Sequence, residues 1–338
     1  MTLSVTAVAI IVSGISDNAK GRIVPVKRIM GIWAIGAAAS GAYGILALSP
    51  IGKSLGLENL PFLFHYTSQA RAMGLAHHPN SYGETNALAL PMLIYMFGAT
   101  RGWLKVLAAL SIPIAMYAVF LSGSRAALAG GAVLAVASFA SLAISTKRIQ
   151  TGALLLAMVL TPLAIVTAPK ILKASRFFSE SGELSNAARF ANLEEGIDLF
   201  EKNPLFGTGV GSWLGSPVPL ILLTSGGVLY LIVFYGCLAR PLVVRPRSFS
   251  KAFVSILVIS AVGVLGIGLL NNGITERFLY WPFAALFALS LEHYPRTNEN
   301  GRRTGGVARG QWNTKFGPKN LKSSLRSSAP SGIVKYRW

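Results

Sequence analysis

Three arginines stand in short polar stretches of a chain that is otherwise strongly apolar. Arg71 opens the stretch RAMGLAHHPNSYGE, Arg125 lies within LSGSRAALAGG, and Arg189 opens RFANLEEGIDLFEKNPLFGTGVGSW. A guanidinium is always charged and can bind two oxygens of a phosphate at once. The three stretches are therefore the first candidates for a functional site.

The composition around these stretches is that of a membrane protein. Of the 338 residues, 52% are hydrophobic and 13% are charged, and the mean hydropathy is +0.54. Apolar runs bounded by charges approach the roughly 20 residues that a transmembrane helix needs. They are residues 1–16, 29–50, 85–100, 106–124, 126–146, 149–169, 218–239, 252–275 and 278–291. We therefore predict an all-α fold, a polytopic membrane protein of about nine transmembrane helices, with a large, partly helical external loop at 170–217 inside a membrane domain over 1–291.

The positive charges predict the orientation of these helices. With the N-terminus outside, most of the 31 Lys and Arg residues fall in inward loops and in the tail at 292–338, as the positive-inside rule requires. That tail is rich in Gly, Ser, Asn and basic residues and is predicted to be disordered and cytoplasmic. Anionic membrane lipid is a sufficient partner for the net charge of +19, so no nucleic acid is expected. A single cysteine, Cys237, excludes a disulfide or a thiolate metal site within one chain.

The external loop carries half of the 12 carboxylates and one amphipathic pattern. Four apolar residues recur at spacings of 3, 4 and 3, which predicts a helix that lies against the membrane domain: Phe190, Leu193, Ile197 and Phe200. Ser185 or Asn186 is expected to cap this helix and Asn203-Pro204 to end it, with Arg189 in the first turn.

The glycines that follow this helix, in GTGVGS, lack the Gly-Lys-Ser/Thr of a nucleotide P-loop. Gly207, Gly209 and Gly211 are instead expected to form a tight backbone turn close to a helix or to an anionic ligand.

The other two arginine stretches each have a plainer alternative. Arg125 between two apolar runs is costly unless it pairs with an anion or reaches water, but it could also simply end two helices at the interface. His77 and His78 are adjacent, so on a helix they point apart and make a poor metal pair; a turn at Pro79-Asn80 is the alternative. No metal site is predicted.

Taken in order, the three stretches resemble the family of O-antigen ligases and O-antigen polymerases, bacterial inner-membrane enzymes that handle lipid-linked glycans. The matching pieces are Arg71 with GL, HPN and Glu84 before a helix; SGSRAAL at an outer boundary; and Arg189 followed by KNPLFGTGVGSW and GGVLYLI. The similarity covers about residues 65–240.

The resemblance implies a fold in which the loop at 170–217 is periplasmic and caps a cavity that opens on the periplasm. It implies transfer of a glycan from undecaprenyl diphosphate to a sugar hydroxyl, on lipid A-core for a ligase and on another lipid-linked repeat for a polymerase. Neither a nucleotide sugar nor a metal is needed, so no cofactor is expected. The protein would reside in the bacterial inner membrane with a periplasmic active face.

With this chemistry, Arg125 and Arg189 are the candidates for stabilising the departing diphosphate. The further substrate-binding candidates are Arg71, Asn80, Gly207, Gly209, Gly211 and Arg277. For Arg277, an ion pair with the neighbouring Glu276 is an alternative.

Ligase-like members of the family carry a His after the glycine motif, and this chain has none there. The candidates for the catalytic role of that His are His77, Glu194 and Glu195. A solvated helix face also explains the two glutamates. A transporter or flippase of lipid-linked sugars, or a non-catalytic subunit of polysaccharide assembly, is the alternative function. The nearly charge-free spans favour the enzyme over a transporter.

Overall fold

The computed structural model describes residues 24–57, 63–66, 69–145, 180–215, 217–243, 250–271 and 277–291. The predicted spans at 1–16 and 149–169 and the predicted disordered tail at 292–338 lie outside the described residues.

The described part of the chain is mainly helical. In chain order the helices are α1 (Val24–Leu48), α2 (Pro50–Ser54), α3 (Pro79–Ala99), α4 (Trp103–Leu121), α5 (Arg125–Ser145), α6 (Glu180–Lys202), α7 (Val218–Val243), α8 (Lys251–Gly268) and α9 (Trp281–Leu291), with a 3₁₀ turn at Arg277–Tyr280 before α9. Strands β1 (Leu63–Tyr66) and β2 (Gln69–Ala72) form an antiparallel hairpin in which Phe64 lies opposite Arg71. The sequence did not indicate this hairpin.

Five of these helices are long and apolar enough to cross a membrane, counted over the described residues. They are Val26–Leu48, Trp103–Leu121, Arg125–Ile144, Val218–Val243 and Lys251–Gly268. The prediction of a membrane protein with several helical spans is thereby confirmed. The run 278–291 is divided between the 3₁₀ turn and the shorter apolar helix α9.

Two predicted boundaries are wrong. The run 252–275 was expected to be one span, but α8 ends at Gly268, ahead of the polar pair that begins at Asn271. The run 85–100 belongs to a longer helix, α3, that begins at Pro79.

Helix α3 forms the centre of the bundle and packs against α1, α4, α5 and α8. Nearly all of its residues from Ser81 to Met96 are buried. A helix that is buried on every side has no polar face toward water. It can still carry polar side chains if they form hydrogen bonds inside the protein. The polar residues near its start therefore point to an internal polar site.

Candidate functional site

The site begins where α3 begins, at His78. His78 Nδ1 accepts a hydrogen bond from the Asn80 backbone N–H at 3.1 Å, and Pro79 occupies the first turn, where its missing N–H costs nothing. The predicted turn at Pro79-Asn80 is therefore wrong, because these residues start the helix. Burial lowers the pKa of His78 from its ordinary value, and the charges of Arg71 and His77 lower it further. His78 thus favours the neutral form that the cap requires.

Arg71, at the end of the hairpin, joins three segments of the chain. Its side chain is 9% exposed. Its Nε donates to the Ser122 carbonyl at 2.7 Å, and its Nη2 donates to Asn80 Oδ1 at 2.8 Å. Two bonds in different directions fix the plane of the guanidinium, and they tie β2 to the start of α3 and to the end of α4.

The turn between α4 and α5 places Arg125. Ser122 Oγ donates to the Val119 carbonyl at 2.6 Å and accepts from the Ser124 N–H at 3.1 Å. Ser124 Oγ in turn accepts from the Ala127 N–H at 3.3 Å, as a helix cap does. Arg125 is therefore the first residue of α5 and is half-buried, so its predicted position between two apolar helices is confirmed.

A close approach between α3 and this turn depends on Gly83. A Cβ at Gly83 would lie 2.4 Å from Ser122 Oγ, which is shorter than any van der Waals contact. The absence of a side chain at Gly83 lets the polar start of α3 lie directly against the turn that Arg71 holds.

The contacts of Arg71 and Asn80 extend to two further buried side chains, Asn271 and Glu84. We call these four residues the polar clamp. Asn80 Nδ2 lies 3.5 Å from Asn271 Oδ1, and Asn271 Nδ2 donates a hydrogen bond to Glu84 Oε1. Glu84 is 1% exposed and Asn271 is also buried. From the sequence, Glu84 is only a carboxylate before a helix, and the one signal for Asn271 is a pair of amides at the end of an apolar run.

A second assembly surrounds the glycine loop, defined here as residues 203–212. Helix α7 is interrupted at Gly226 and Gly227, where Gly227 has a φ of 66°. The carbonyl of Thr224 accepts instead from the Thr208 N–H at 2.7 Å, and the N–H of Val228 donates to the Pro204 carbonyl at 2.9 Å. In a continuous helix the Val228 N–H would donate to the Thr224 carbonyl. Here the glycine loop provides a separate backbone partner for each of these two groups.

The three glycines of this loop all have positive φ, namely 67° at Gly207, 114° at Gly209 and 87° at Gly211. A Cβ at Gly207 would lie 2.5 Å from the Gly226 backbone nitrogen. The prediction of a tight backbone turn close to a helix is confirmed. The role of these glycines in binding a substrate stays a prediction.

Helix α6 packs against the start of α7 and Trp213 through part of the predicted face. Leu193 packs against the cluster around Trp213 as predicted, but Phe190 and Ile197, also expected to pack, are 71% and 42% exposed. The closest approach is at Gly196, where a Cβ would lie 2.6 Å from Leu220 Cδ2 and 2.8 Å from Trp213. The predicted face is therefore only partly correct, because a glycine rather than an apolar side chain marks the closest approach.

The ends of α6 were predicted with mixed success. The helix ends at Lys202, as Asn203-Pro204 indicated, but it begins at Glu180, ahead of the predicted caps at Ser185 and Asn186. Arg189 is therefore in the third turn and not the first, and it is half-buried. Glu194 and Glu195 are exposed, as expected for a solvated helix face.

A small apolar pocket lies beside the end of α8. Its lining includes Leu88 of α3, Phe234 and Tyr235 of α7, and Ile267 of α8. The packed side chains leave little free space in it.

The predicted site residues therefore fall into two groups. Hydrogen bonds bring Arg71 and Asn80 together with the turn that carries Arg125, whereas Arg189 and the three glycines belong to the assembly of α6, the glycine loop and α7. His77 is exposed next to the cap of α3. Arg277 lies in the 3₁₀ turn, and its side chain is outside the description. Over the described residues, no group of three or more His, Cys, Asp or Glu side chains is placed to hold a metal ion.

Comparison with known proteins gives one family match. The O-antigen ligase family matches residues 106–222, which run from α4 through the turn with Arg125, α6 and the glycine loop into α7. Over these residues the match confirms the resemblance stated from the sequence. Neither the curated proteins nor the solved structures gave a match.

Proposed function

We propose that this protein is a membrane glycosyltransferase that moves a glycan from undecaprenyl diphosphate to a sugar hydroxyl during O-antigen or exopolysaccharide assembly. The match of residues 106–222 to the O-antigen ligase family supports a role in polysaccharide assembly. The observation that carries the finer proposal is the turn with Arg125, which the buried guanidinium of Arg71 holds in place.

The reaction explains why fixed arginines are useful. The acceptor oxygen forms a bond to the anomeric carbon of the donor, and the bond from that carbon to the diphosphate oxygen breaks. The electron pair leaves with the polyprenyl diphosphate, so negative charge grows on the leaving group. Cationic donors that are already in place stabilise this charge without reorganisation. Arg125 is the residue that we assign to the diphosphate, and Arg71 holds its turn.

We assign the assembly of α6, the glycine loop and α7 to the same reaction. Arg189 on α6 supplies further positive charge, and the glycine loop sets the position of α6 against α7. The hydroxyl proton must pass to a base, for which His77, Glu194 and Glu195 are the named candidates. The active face is proposed to be periplasmic, with the protein in the bacterial inner membrane.

Transport of lipid-linked sugars is the second candidate, because α7 is interrupted. Discontinuous helices that expose backbone groups are typical of the binding sites of secondary transporters. In this protein the glycine loop already bonds those backbone groups, which favours a structural reason for the interruption.

Transfer by purified protein in vesicles tests the proposal. With a glycan on undecaprenyl diphosphate and a sugar acceptor, we expect Arg125→Ala to lower kcat about 100-fold or more, and Arg125→Lys to recover only part of the loss. Arg101→Ala is the matched control, because Arg101 is exposed at the opposite end of α4. Undiminished transfer by both Arg125→Ala and Arg189→Ala would remove the site assignment. Movement of the lipid-linked sugar across the vesicle membrane without a new glycosidic bond would support the transporter.

Sidedness needs a separate test, since the periplasmic face is part of the proposal. Val210, at the tip of the glycine loop, is 86% exposed, and the native Cys237 is exposed and must first be replaced by serine. In that background, Val210→Cys is expected to react with a membrane-impermeant maleimide added to intact cells whose outer membrane is permeable. Reaction only after the inner membrane is opened would place the loop in the cytoplasm.

A further inference from the structure

The polar clamp has a direction. Arg71 donates to Asn80, Asn80 lies with its Nδ2 toward Asn271, and Asn271 donates to Glu84. Each amide therefore accepts a hydrogen bond at its oxygen and donates one from its nitrogen. The chain of hydrogen bonds runs from the guanidinium of Arg71 to the carboxyl group of Glu84. Hydrogen bonds aligned in this way polarise and strengthen one another in a buried site.

This direction depends on what stands at its two ends. A guanidinium can only donate, and an ionised carboxylate can only accept. An amide offers both an oxygen and a nitrogen, so Asn80 and Asn271 could each be reversed if an end group tolerated it. Arg71 and Glu84 together permit only one orientation of the two amides between them.

We infer that Glu84 and Asn271 are positioning residues for the anion site: through Asn80 they fix the guanidinium of Arg71, which holds the turn that carries Arg125. This inference rests on the proposed function, because the anion at Arg125 is the polyprenyl diphosphate of the transfer reaction. Glu84 does not touch the substrate, since it is 1% exposed inside the bundle. It acts by holding α3 to the end of α8.

The clamp can be reversed by exchanging the amide and the carboxylate at positions 84 and 271. In Glu84→Gln the end group can donate as well as accept, and the orientation of Asn271 is no longer fixed. In Asn271→Asp the side chain cannot donate to Glu84, and two carboxyl groups face each other. In the double variant E84Q/N271D, the amide that replaces the Glu84 carboxylate donates to one oxygen of the carboxylate that replaces the Asn271 amide, and Asn80 donates to the other oxygen. The bond from Arg71 to Asn80 is then restored with the same net charge.

The experiment compares the wild type with E84Q, N271D and the double variant, measuring kcat and KM for transfer and the thermal midpoint of unfolding in detergent. We expect each single variant to lower kcat/KM for the lipid-linked donor about 10-fold to 100-fold, as for loss of a buried hydrogen bond to a charged group. The double variant is expected to recover to within about 5-fold of the wild type. Thr85→Val, one residue along α3, is the matched control and should leave both quantities unchanged.

The outcomes separate this inference from the proposed function. If the wild type transfers glycan and the two single losses in kcat/KM simply multiply in the double variant, the inference is overturned. Recovery of the thermal midpoint without recovery of kcat/KM would show a structural pair that does not position the site, which also overturns the inference. No transfer by a folded wild-type protein would overturn the proposed function, and the thermal midpoints would then still test the pairing of Glu84 with Asn271.

Discussion

The polar clamp and the glycine loop hold their surroundings together by different means. In the clamp, side chains from β2, α3 and the end of α8 bond to one another in a buried site. In the glycine loop, backbone groups bond to backbone groups of α7, and the side chains matter mainly by being absent. Substitutions in the clamp should therefore be damaging when they change the hydrogen-bonding groups, even if the side chain keeps its size. Substitutions in the glycine loop should be damaging when they add a side chain, even if that side chain is apolar and uncharged.

The largest effect is expected where a side chain is added to the loop's docking point. In Gly227→Val a Cβ would lie 2.2 Å from the backbone carbonyl of Leu205, at a residue with positive φ. Strain and overpacking together should destabilise the protein by about 4 kcal/mol, and we expect the thermal midpoint and transfer to be lost together. Gly236→Ala, on the same helix with open space around it, is the control and should change neither.

The next effect tests identity in the clamp. Arg71→Met keeps much of the length of the side chain but leaves the Ser122 carbonyl and Asn80 without the donors that Arg71 supplies. We expect a loss of about 3 kcal/mol in the free energy of unfolding, as when one partner of a buried charged network is removed. Arg71→Lys should recover less than half of this free energy, because one ammonium group cannot replace the two guanidinium nitrogens that donate to Ser122 and Asn80. Equal stability of the Lys and Arg proteins in thermal or denaturant unfolding would show that charge alone matters.

A smaller effect concerns pH at the start of α3. The folded-state pKa of His78 is lowered, so the unfolded chain binds more protons when the pH falls through the unfolded pKa of about 6.5. The cap's contribution, about 1 kcal/mol, is complete above that pH and is lost progressively below it. The fall in thermal midpoint between about pH 7.5 and pH 5.5 should shrink in His78→Asn, which caps without titrating. An unchanged fall would assign the pH dependence to other groups.

The smallest effect separates the packed face of α6 from its exposed face. Phe190→Ser should change the free energy of unfolding by no more than about 0.5 kcal/mol, because Phe190 is 71% exposed. Leu193→Ala should cost about 1 kcal/mol or more, because Leu193 packs against the cluster around Trp213. A larger loss from Phe190→Ser than from Leu193→Ala in thermal unfolding would contradict this packing.

The sequence was a good guide where one physical signal dominated. Uninterrupted apolar runs indicated α1, α4, α5 and α7 within a few residues, because length and hydropathy alone define a span. The turn with Arg125 could be placed because two such runs enclose it. The glycine turn was foreseen because spaced glycines have few uses other than unusual backbone geometry.

The sequence failed where partners are distant or where the signal is a missing side chain. Asn271 and Glu84 are 187 positions apart, and an amide at the end of an apolar run has no local pattern that identifies its partner. Gly196 marks the contact of α6 with α7 but contributes nothing to an apolar periodicity. The hairpin escaped notice because its strands have only four residues each.

The interruption in α7 has a consequence for biogenesis. Backbone groups left open by a break must find partners before a helix can reside in lipid. The residues that supply them, Pro204 and Thr208, precede α7 in the chain and so leave the ribosome before the break does. Insertion of α7 can therefore be completed as it is synthesised, without waiting for α8 or α9.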